Sequence, residues 1–270
     1  MSAAIHTDMN DMLPEAPVSR LEARVAAANA AGRPALVPFL TAGFPTLDRF
    51  WEEMDGLDRG GADVIEIGVP FSDPVADGPV VEAASLRALE NGVTLRWILD
   101  GLKARKDRYN AELVLMGYYN PFLQYGLENL AADAAAAGVA GFIVPDLPLE
   151  EDAEMRALLA ARGIDLIALV GPNTSEERMA EYAAVASGYV YVVSVLGITG
   201  VREGLPPEVP QTLARARKAF RLPLALGFGI KEPKQLEGFP DRPDAVVFGS
   251  ALLRHIDAGN SAESFLAAWK

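Results

Sequence analysis

Eight short apolar segments recur along this chain and constrain its fold more than any other feature of the sequence. Each is four or five residues long, which is too short for a helix, and several are rich in Val and Ile. Such segments are typical of parallel strands that are buried on both faces. They lie at Leu36–Leu40, Asp63–Ile67, Leu113–Met116, Gly141–Val144, Leu166–Val170, Tyr189–Val193, Pro223–Leu226 and Ala245–Phe248.

The segments between these strands combine mixed charge with an apolar stripe, as amphipathic helices do. They are Glu82–Glu90, Leu95–Lys106, Leu127–Ala137, Glu150–Ala161, Glu176–Ala184 and Pro207–Phe220. Strands that alternate with helices over about 230 residues predict an α/β fold, the (β/α)8 or TIM barrel. A doubly wound open sheet is the alternative. The turn after the first strand, TAGFP at residues 41–45, lacks the glycine fingerprint of that fold.

The N-terminal segment precedes the first strand and has its own pattern. An additional helix is predicted from the N-cap Ser19 to Gly32. Residues 1–17 are polar, contain Pro14 and Pro17, and are expected to form a loose tail. Because no linker, low-complexity block or short repeat divides the sequence, we expect a single barrel domain over residues 1–270.

Composition excludes several classes of function. The chain has 24 Lys and Arg against 37 Asp and Glu, a formal charge of −13, which argues against binding to nucleic acids and to anionic membranes. The absence of cysteine excludes disulfides, iron–sulfur clusters and thiolate zinc sites. The chain has two histidines, His6 and His255, so a His-rich metal site is excluded as well. Any acid–base chemistry is expected to depend on carboxylates, with no metal.

Targeting and membrane signals are weak. The first residues lack the basic and apolar regions of a secretory signal. Residues 182–201 carry no formal charge and are long enough to span a bilayer. Their β-branched centre and three glycines instead predict a buried strand followed by a loop. We therefore expect a cytoplasmic protein without a membrane span.

Two carboxylates near the end of the second strand are the main catalytic candidates. Glu66 interrupts an apolar strand, where alternation directs it into the barrel or against the helices. A catalytic role and a structural ion pair with Arg or Lys are both open; in an apolar pocket its pKa would rise, which suits a proton donor. Asp77 follows in a loop rich in Pro and Gly, where it is either a turn residue or the second member of an acid–base pair. Asp73 precedes a proline and suits a turn or cap.

Glycine-rich turns follow the last three predicted strands. They are Gly197-Ile198-Thr199-Gly200, Gly227-Phe228-Gly229-Ile230 and Gly249-Ser250. In many barrels the last two of these loops hold a phosphate on backbone N–H groups and a helix N-terminus. None of the three turns contains Lys or Arg, so backbone dipoles would bind a phosphorylated substrate.

Polar side chains also follow the third and fourth strands. Tyr118, Tyr119 and Asn120 come after the third strand, and Asp146 comes after the fourth. Each could contact substrate, and ordinary packing or capping explains each equally well.

The motifs at these strand ends resemble those of the tryptophan synthase α subunit family over residues 19–255. The most specific is EIGVPFSDP followed by ADGP at residues 66–79. Supporting motifs are PFLTAG at 38–43, YYNP at 118–121, PDLP at 145–148, GITG at 197–200, GFGI at 227–230 and GSA at 249–251. The resemblance implies retro-aldol cleavage of indole-3-glycerol phosphate to indole and glyceraldehyde 3-phosphate in tryptophan biosynthesis. It also implies an α2β2 heterotetramer with a β subunit that holds pyridoxal phosphate, so this chain would hold no cofactor.

The resemblance also implies roles for individual residues. Glu66 would transfer protons at indole C3 and the glycerol hydroxyl, Asp77 would bind the indole N–H, and Tyr191 would orient Glu66 or the substrate. The expected phosphate contacts are Gly200, Gly229, Gly249 and Ser250, and the expected walls of the indole pocket are Phe39 and Met116. Thr199 would lie in the mobile sixth loop among the substrate-binding residues, and Asp73 would lie in the second loop, which the family uses against the β subunit.

Two positions depart from the family pattern, and three alternatives remain. Leu196 stands where a more polar residue is expected, and Gly171 stands where alanine is usual; both concern loop behaviour and partner response.

The alternatives are a free-standing lyase without a β partner, a sugar-phosphate isomerase, and a catalytically silent barrel that activates its partner.

Overall fold

The computed structural model describes residues 18–193, 208–227, 230, 233–236, 239 and 242–269. In this part of the chain a parallel sheet of nine strand segments has the order β5-β4-β3-β2-β1-β9-β8-β7-β6. The segments are β1 (Ala35–Thr41), β2 (Val64–Gly68), β3 (Glu112–Met116), β4 (Val139–Ile143), β5 (Asp165–Leu166), β6 (Ala168–Val170), β7 (Val190–Val193), β8 (Leu224–Gly227) and β9 (Ala245–Phe248).

The predicted fifth strand is interrupted, and this interruption accounts for the ninth segment. β5 pairs with β4, whereas β6 pairs with β7. Between them, the N–H of Ile167 donates to the carbonyl of Phe142. The sheet therefore closes through one broken strand, and the predicted (β/α)8 barrel is confirmed.

Helices surround the barrel, and the first of them lies at its lower end. They are α1 (Arg20–Ala30), α2 (Leu47–Gly60), α3 (Pro79–Glu90), α4 (Leu95–Lys103), α5 (Tyr119–Tyr125), α6 (Leu127–Ala136), α7 (Ala153–Ala160), α8 (Glu176–Ala183), α9 (Val209–Ala219), α10 (Ser250–Asp257) and α11 (Ala262–Leu266). The described helices include none that is long and apolar enough to cross a membrane.

α2 was not predicted from the sequence, although its ends carry local signals. The side chain of Thr46 accepts a hydrogen bond from the N–H of Arg49 at the start of the helix. Gly61 ends the helix in the left-handed conformation, at φ 91°, which is the usual glycine cap. Two predicted helices are shorter in the structure because turns replace their ends. The helix predicted at Leu95–Lys106 ends at Lys103. The helix predicted at Glu150–Ala161 begins at Ala153, after a turn in which the N–H of Glu151 donates to the carbonyl of Pro148.

The extra N-terminal helix α1 closes the lower end of the barrel. Its cap is the predicted one, since the side chain of Ser19 accepts from the N–H of Glu22. Leu21 and Val25 are fully buried in the same cluster as inward-facing residues such as Tyr189. A second cluster fills the layer between strands and helices. The carboxyl ends of the strands, where the candidate residues lie, form the opposite end of the barrel, hereafter the mouth.

Candidate active site

Glu66 points into the barrel. Val64, two residues earlier on β2, belongs to the interior cluster, whereas Ile65 and Ile67 pack in the outer layer, so strand alternation directs Glu66 inward. It lies level with Phe39 on β1 and Val114 on β3, and only 1% of its surface is exposed.

The structural alternative for Glu66, an ion pair with Arg or Lys, is not found in the described part of the chain. None of the ion pairs there includes Glu66. Its Oε2 atom is buried without a hydrogen-bond partner among the same residues. Burial, and then the negative charge of Asp77, raise the pKa of Glu66 to about 8, so the group is mostly protonated at neutral pH.

Asp77 lies on the loop between β2 and α3 and faces the same space. Its N–H donates to the carbonyl of Pro74, 3.1 Å away, so the residue also closes a turn. Burial raises its pKa to about 6; a hydrogen bond from Tyr118 opposes that rise, and the charge of Glu82 adds to it. Asp77 is therefore mostly ionised at neutral pH, while Glu66 keeps its proton.

Tyr191 completes this group from the other side of the barrel. It is buried on β7, and its charge interactions are with Glu66, Tyr189 and Asp77. Burial and the charge of Glu66 hold its pKa well above the usual value, so the phenol is neutral. A Cβ atom on Gly227 would lie 2.3 Å from the Tyr191 hydroxyl, which means that this close approach requires glycine in β8.

Phe39 and Met116 lie at the mouth on either side of Gly68. The ring of Phe39 covers Gly68 and Gly249 so closely that Cβ atoms there would lie 2.5 Å and 3.1 Å from ring carbons. Met116 pairs with Gly68 across β2 and β3 and is only partly buried. The two apolar side chains thus flank a glycine floor beside Glu66.

The candidate phosphate contacts are described only in part. Gly249 is the N-cap of α10, and Ser250 is its first residue. The N–H groups of the first turn have no acceptor within the helix, so they point out of the N-terminus beside Phe39. Gly200, Gly229 and Thr199 lie outside the described residues, as does Leu196.

Tyr118 lies beside these candidate residues, although its sequence pattern is explained equally well by packing or capping. Its hydroxyl accepts a hydrogen bond from the N–H of Ala76 at 2.9 Å and contacts Asp77. The backbone N–H of the neighbouring residue, Tyr119, donates instead to the carboxylate of Asp146 at 2.9 Å. The available signal was topological: a residue that follows β3 must lie beside the loop that follows β2.

The Gly171 departure has no steric consequence among the residues that the structure describes. A Cβ at this position would lie 3.9 Å from its nearest described neighbour, the carbonyl of Val193. Alanine would therefore fit against these neighbours equally well.

A family model described as tryptophan synthase alpha chain matches residues 25–269. The chain belongs to the tryptophan synthase alpha chain family. The alpha chain of Nitratidesulfovibrio vulgaris strain DP4 is 73% identical over 251 residues, which cover 93% of this chain and 98% of that relative. The alpha chain of Solidesulfovibrio magneticus is 63% identical over 252 residues, with 93% and 98% covered.

Solved structures of tryptophan synthase have the same fold. A structure of the Mycobacterium tuberculosis enzyme superposes with a TM-score of 0.84 at 33% identity, covering 93% of this chain and 95% of that one. The tryptophan synthase alpha subunit of Legionella pneumophila strain Paris gives 0.81 at 34% identity, with 93% and 95% covered. The predicted resemblance is confirmed. The activity of the family, cleavage of indole-3-glycerol phosphate by a carbon–carbon lyase, is the activity of this chain.

Proposed function

We propose that Glu66 and Asp77 are the acid–base pair with which this chain cleaves indole-3-glycerol phosphate. The observation that carries the proposal is that two interacting carboxyl groups at one barrel mouth have pKa values of about 8 and about 6. Between these values one group is protonated and the other is ionised. Environments that separate two carboxyl pKa values in this way are typical of acid–base assignments.

The reaction needs both states. Glu66 donates its proton to indole C3, which places positive charge on the indole ring. The ionised Asp77 accepts a hydrogen bond from the indole N–H and stabilises that charge. The bond between C3 and the glycerol chain then breaks, and its electron pair neutralises the ring. Glu66 takes the proton of the adjacent hydroxyl as the aldehyde forms, so no proton is gained or lost overall.

Neighbouring residues hold the reacting groups. Tyr191, neutral and buried against Gly227, orients Glu66 or the substrate. Phe39 and Met116 form apolar walls for the indole ring, because their side chains flank the glycine floor at the mouth. An aromatic wall and a flat glycine surface suit a planar ligand.

The rate of indole formation should have a bell-shaped dependence on pH. Below about pH 6 Asp77 takes up a proton and can no longer stabilise the ring charge. Above about pH 8 Glu66 loses the proton that it must donate. We therefore expect kcat/KM to have limbs near pH 6 and pH 8, measured with folding monitored by circular dichroism. A flat profile across both values in a folded protein would contradict the assignment.

The phosphate of the substrate binds at the N-terminus of α10, through the N–H groups that follow Gly249 and through Ser250. Gly200, Gly229 and Thr199 complete the site from the two other glycine turns. The support for this is a helix N-terminus at the mouth beside Phe39, which attracts anions through its dipole and its free N–H groups.

Replacing Ser250 with aspartate separates phosphate binding from stability. A carboxylate at the first position of α10 interacts favourably with the helix dipole, so the melting temperature should stay equal or rise. The same charge repels the substrate phosphate, and we expect KM to increase at least about tenfold. Ser250→Ala is the matched control, with a smaller increase in KM. An unchanged KM for Ser250→Asp would place the phosphate elsewhere.

The partner of the chain is a tryptophan synthase β subunit, in an α2β2 assembly. The supporting observation is the loop between β2 and α3, which projects Val75 with 87% of its surface exposed close to Asp77. Asp73, exposed on the same loop, accepts from Ser72 at 2.5 Å and contacts the partner. Titrating the chain with a β subunit, with and without a non-cleavable substrate analogue, tests the assembly; no complex in either arm would favour a free-standing lyase.

Incubating the chain with indole-3-glycerol phosphate and assaying indole tests the proposal directly. Indole release in the absence of a β subunit shows that the chain carries a complete site. If indole appears neither alone nor with the β subunit, the silent-barrel alternative is correct.

A further inference from the structure

Tyr118 contacts the loop between β2 and α3 at three points. The residue follows β3 and caps α5, and only 3% of its surface is exposed. Its ring packs on Phe71 with the centroids 5.2 Å apart. Its hydroxyl accepts from the N–H of Ala76 at 2.9 Å and makes a side-chain hydrogen bond with Asp77. The loop that carries Asp77 is thus held to the barrel wall at residues 71, 76 and 77.

We propose that Tyr118 is a positioning residue that fastens this loop and aims the carboxylate of Asp77 at the substrate. A phenol has one proton and two acceptor sites. Because the Ala76 N–H occupies an acceptor site, the hydroxyl is oriented from the loop backbone, and its proton is directed to Asp77. The loop backbone and the reacting carboxylate are therefore positioned together by one oxygen atom.

The surroundings of Asp77 make this hydrogen bond consequential. The other titratable groups that interact with Asp77 are Glu66 on β2, Tyr191 on β7 and Glu82 on α3. Burial and the negative charge of Glu82 disfavour an ionised Asp77. Among the causes that act on Asp77 in the described structure, the Tyr118 bond is the one that lowers its pKa. Tyr118 itself is faced by Asp77 and, from the end of β4, by Asp146.

Loss of the hydroxyl should bring the two carboxyl pKa values closer together. Without the donor, the pKa of Asp77 rises toward that of Glu66, and less of the protein has one acid protonated and the other ionised. A hydrogen bond to the charged form typically shifts a carboxyl pKa by roughly one unit. This inference rests on the proposed roles of Asp77 and Glu66.

The test is the pH profile of kcat/KM for indole formation by Tyr118→Phe. We expect the acid limb to move up by about one pH unit, while the alkaline limb set by Glu66 moves much less. Tyr125→Phe is the matched control, because it also removes a phenol–carboxylate bond, from Tyr125 to Asp133 at 2.5 Å, and Tyr125 packs against the outer layer of the barrel and not its interior. Its profile should equal that of the parent. An unmoved acid limb in Tyr118→Phe overturns the proposal.

Two further measurements keep the result decisive. If Tyr118→Phe does not fold, 3-fluorotyrosine at position 118 keeps the ring and strengthens the donor; it should move the acid limb to lower pH, and an unchanged limb overturns the inference. In an Asp77→Asn background, which removes the acid limb, Tyr118→Phe should leave the remaining pH profile of kcat/KM unchanged, and a further shift would contradict a role through Asp77. If the parent itself shows no acid limb, the assignment of Asp77 fails instead, so the two failures are distinguishable.

Discussion

Replacing Glu66 with glutamine should lower the rate of indole formation by at least about 100-fold, since general acid catalysis contributes this much or more. The amide has nearly the shape of the protonated acid, but its N–H protons are far too weakly acidic to be transferred to C3. The measurement is kcat at pH 7, with folding checked by circular dichroism.

Glu53→Gln is the matched control for that result. Glu53 is also a buried acid, with 2% of its surface exposed, but it lies on α2, where it accepts from the N–H of Ala262 at 2.5 Å. Its replacement should affect stability and leave turnover close to that of the parent. Near-full turnover by folded Glu66→Gln would eliminate the role of Glu66 as proton donor.

Glu66→Gln should also change the free energy of unfolding in a pH-dependent way. In the folded protein the pKa of Glu66 is about 8 against an ordinary value of 4.5, so between these values the folded state holds a proton that the unfolded chain has lost. The free energy of unfolding of the parent therefore falls as pH rises across this window and then levels off. Glutamine does not titrate. The free energy of unfolding of Glu66→Gln should therefore increase relative to that of the parent by on the order of 4 kcal/mol from pH 4 to pH 9.

Asp77→Asn should lower kcat by roughly 100- to 1000-fold, the range found when one preorganised electrostatic group is removed from an active site. An amide accepts a hydrogen bond from the indole N–H but carries no charge to offset the positive ring. The acid limb of the pH profile should disappear. Because the charge of Asp77 raises the pKa of Glu66, the alkaline limb should move to lower pH.

The matched control for Asp77→Asn is Asp73→Asn, in the same loop. Asp73 is exposed and hydrogen-bonded to Ser72, so without a β subunit its replacement should leave indole formation unchanged. Activity of Asp77→Asn within about tenfold of the parent would be incompatible with electrostatic stabilisation of the ring.

The strands were predictable because buried parallel strands leave continuous apolar segments in the sequence. The direction of Glu66 was not, since alternation on an isolated strand cannot say which face is interior. That choice depends on α1, which fills the barrel below Val64, and on Tyr191 across the barrel. Both are long-range contacts.

Other features left weaker traces in the sequence. The interruption at Ile167 lies within an apolar segment that is continuous in the sequence. The role of Tyr118 depends on an acceptor for the N–H of Ala76, and a hydrogen bond to the backbone makes no demand on the side chain of its partner. Barrel order alone places Tyr118 beside this loop, whereas its atomic contacts require coordinates.

The helix α1 gives the barrel a sealed floor, with Leu21 and Val25 fully buried beneath the interior strands. With the lower end of the barrel filled by α1, a ligand at the mouth separates Glu66, which is only 1% exposed, from bulk water. While substrate is bound, Glu66 therefore cannot recover a proton from solvent. The proposed reaction does not require one, because the hydrogen that Glu66 would deliver to carbon is replaced by the hydrogen that it would remove from oxygen.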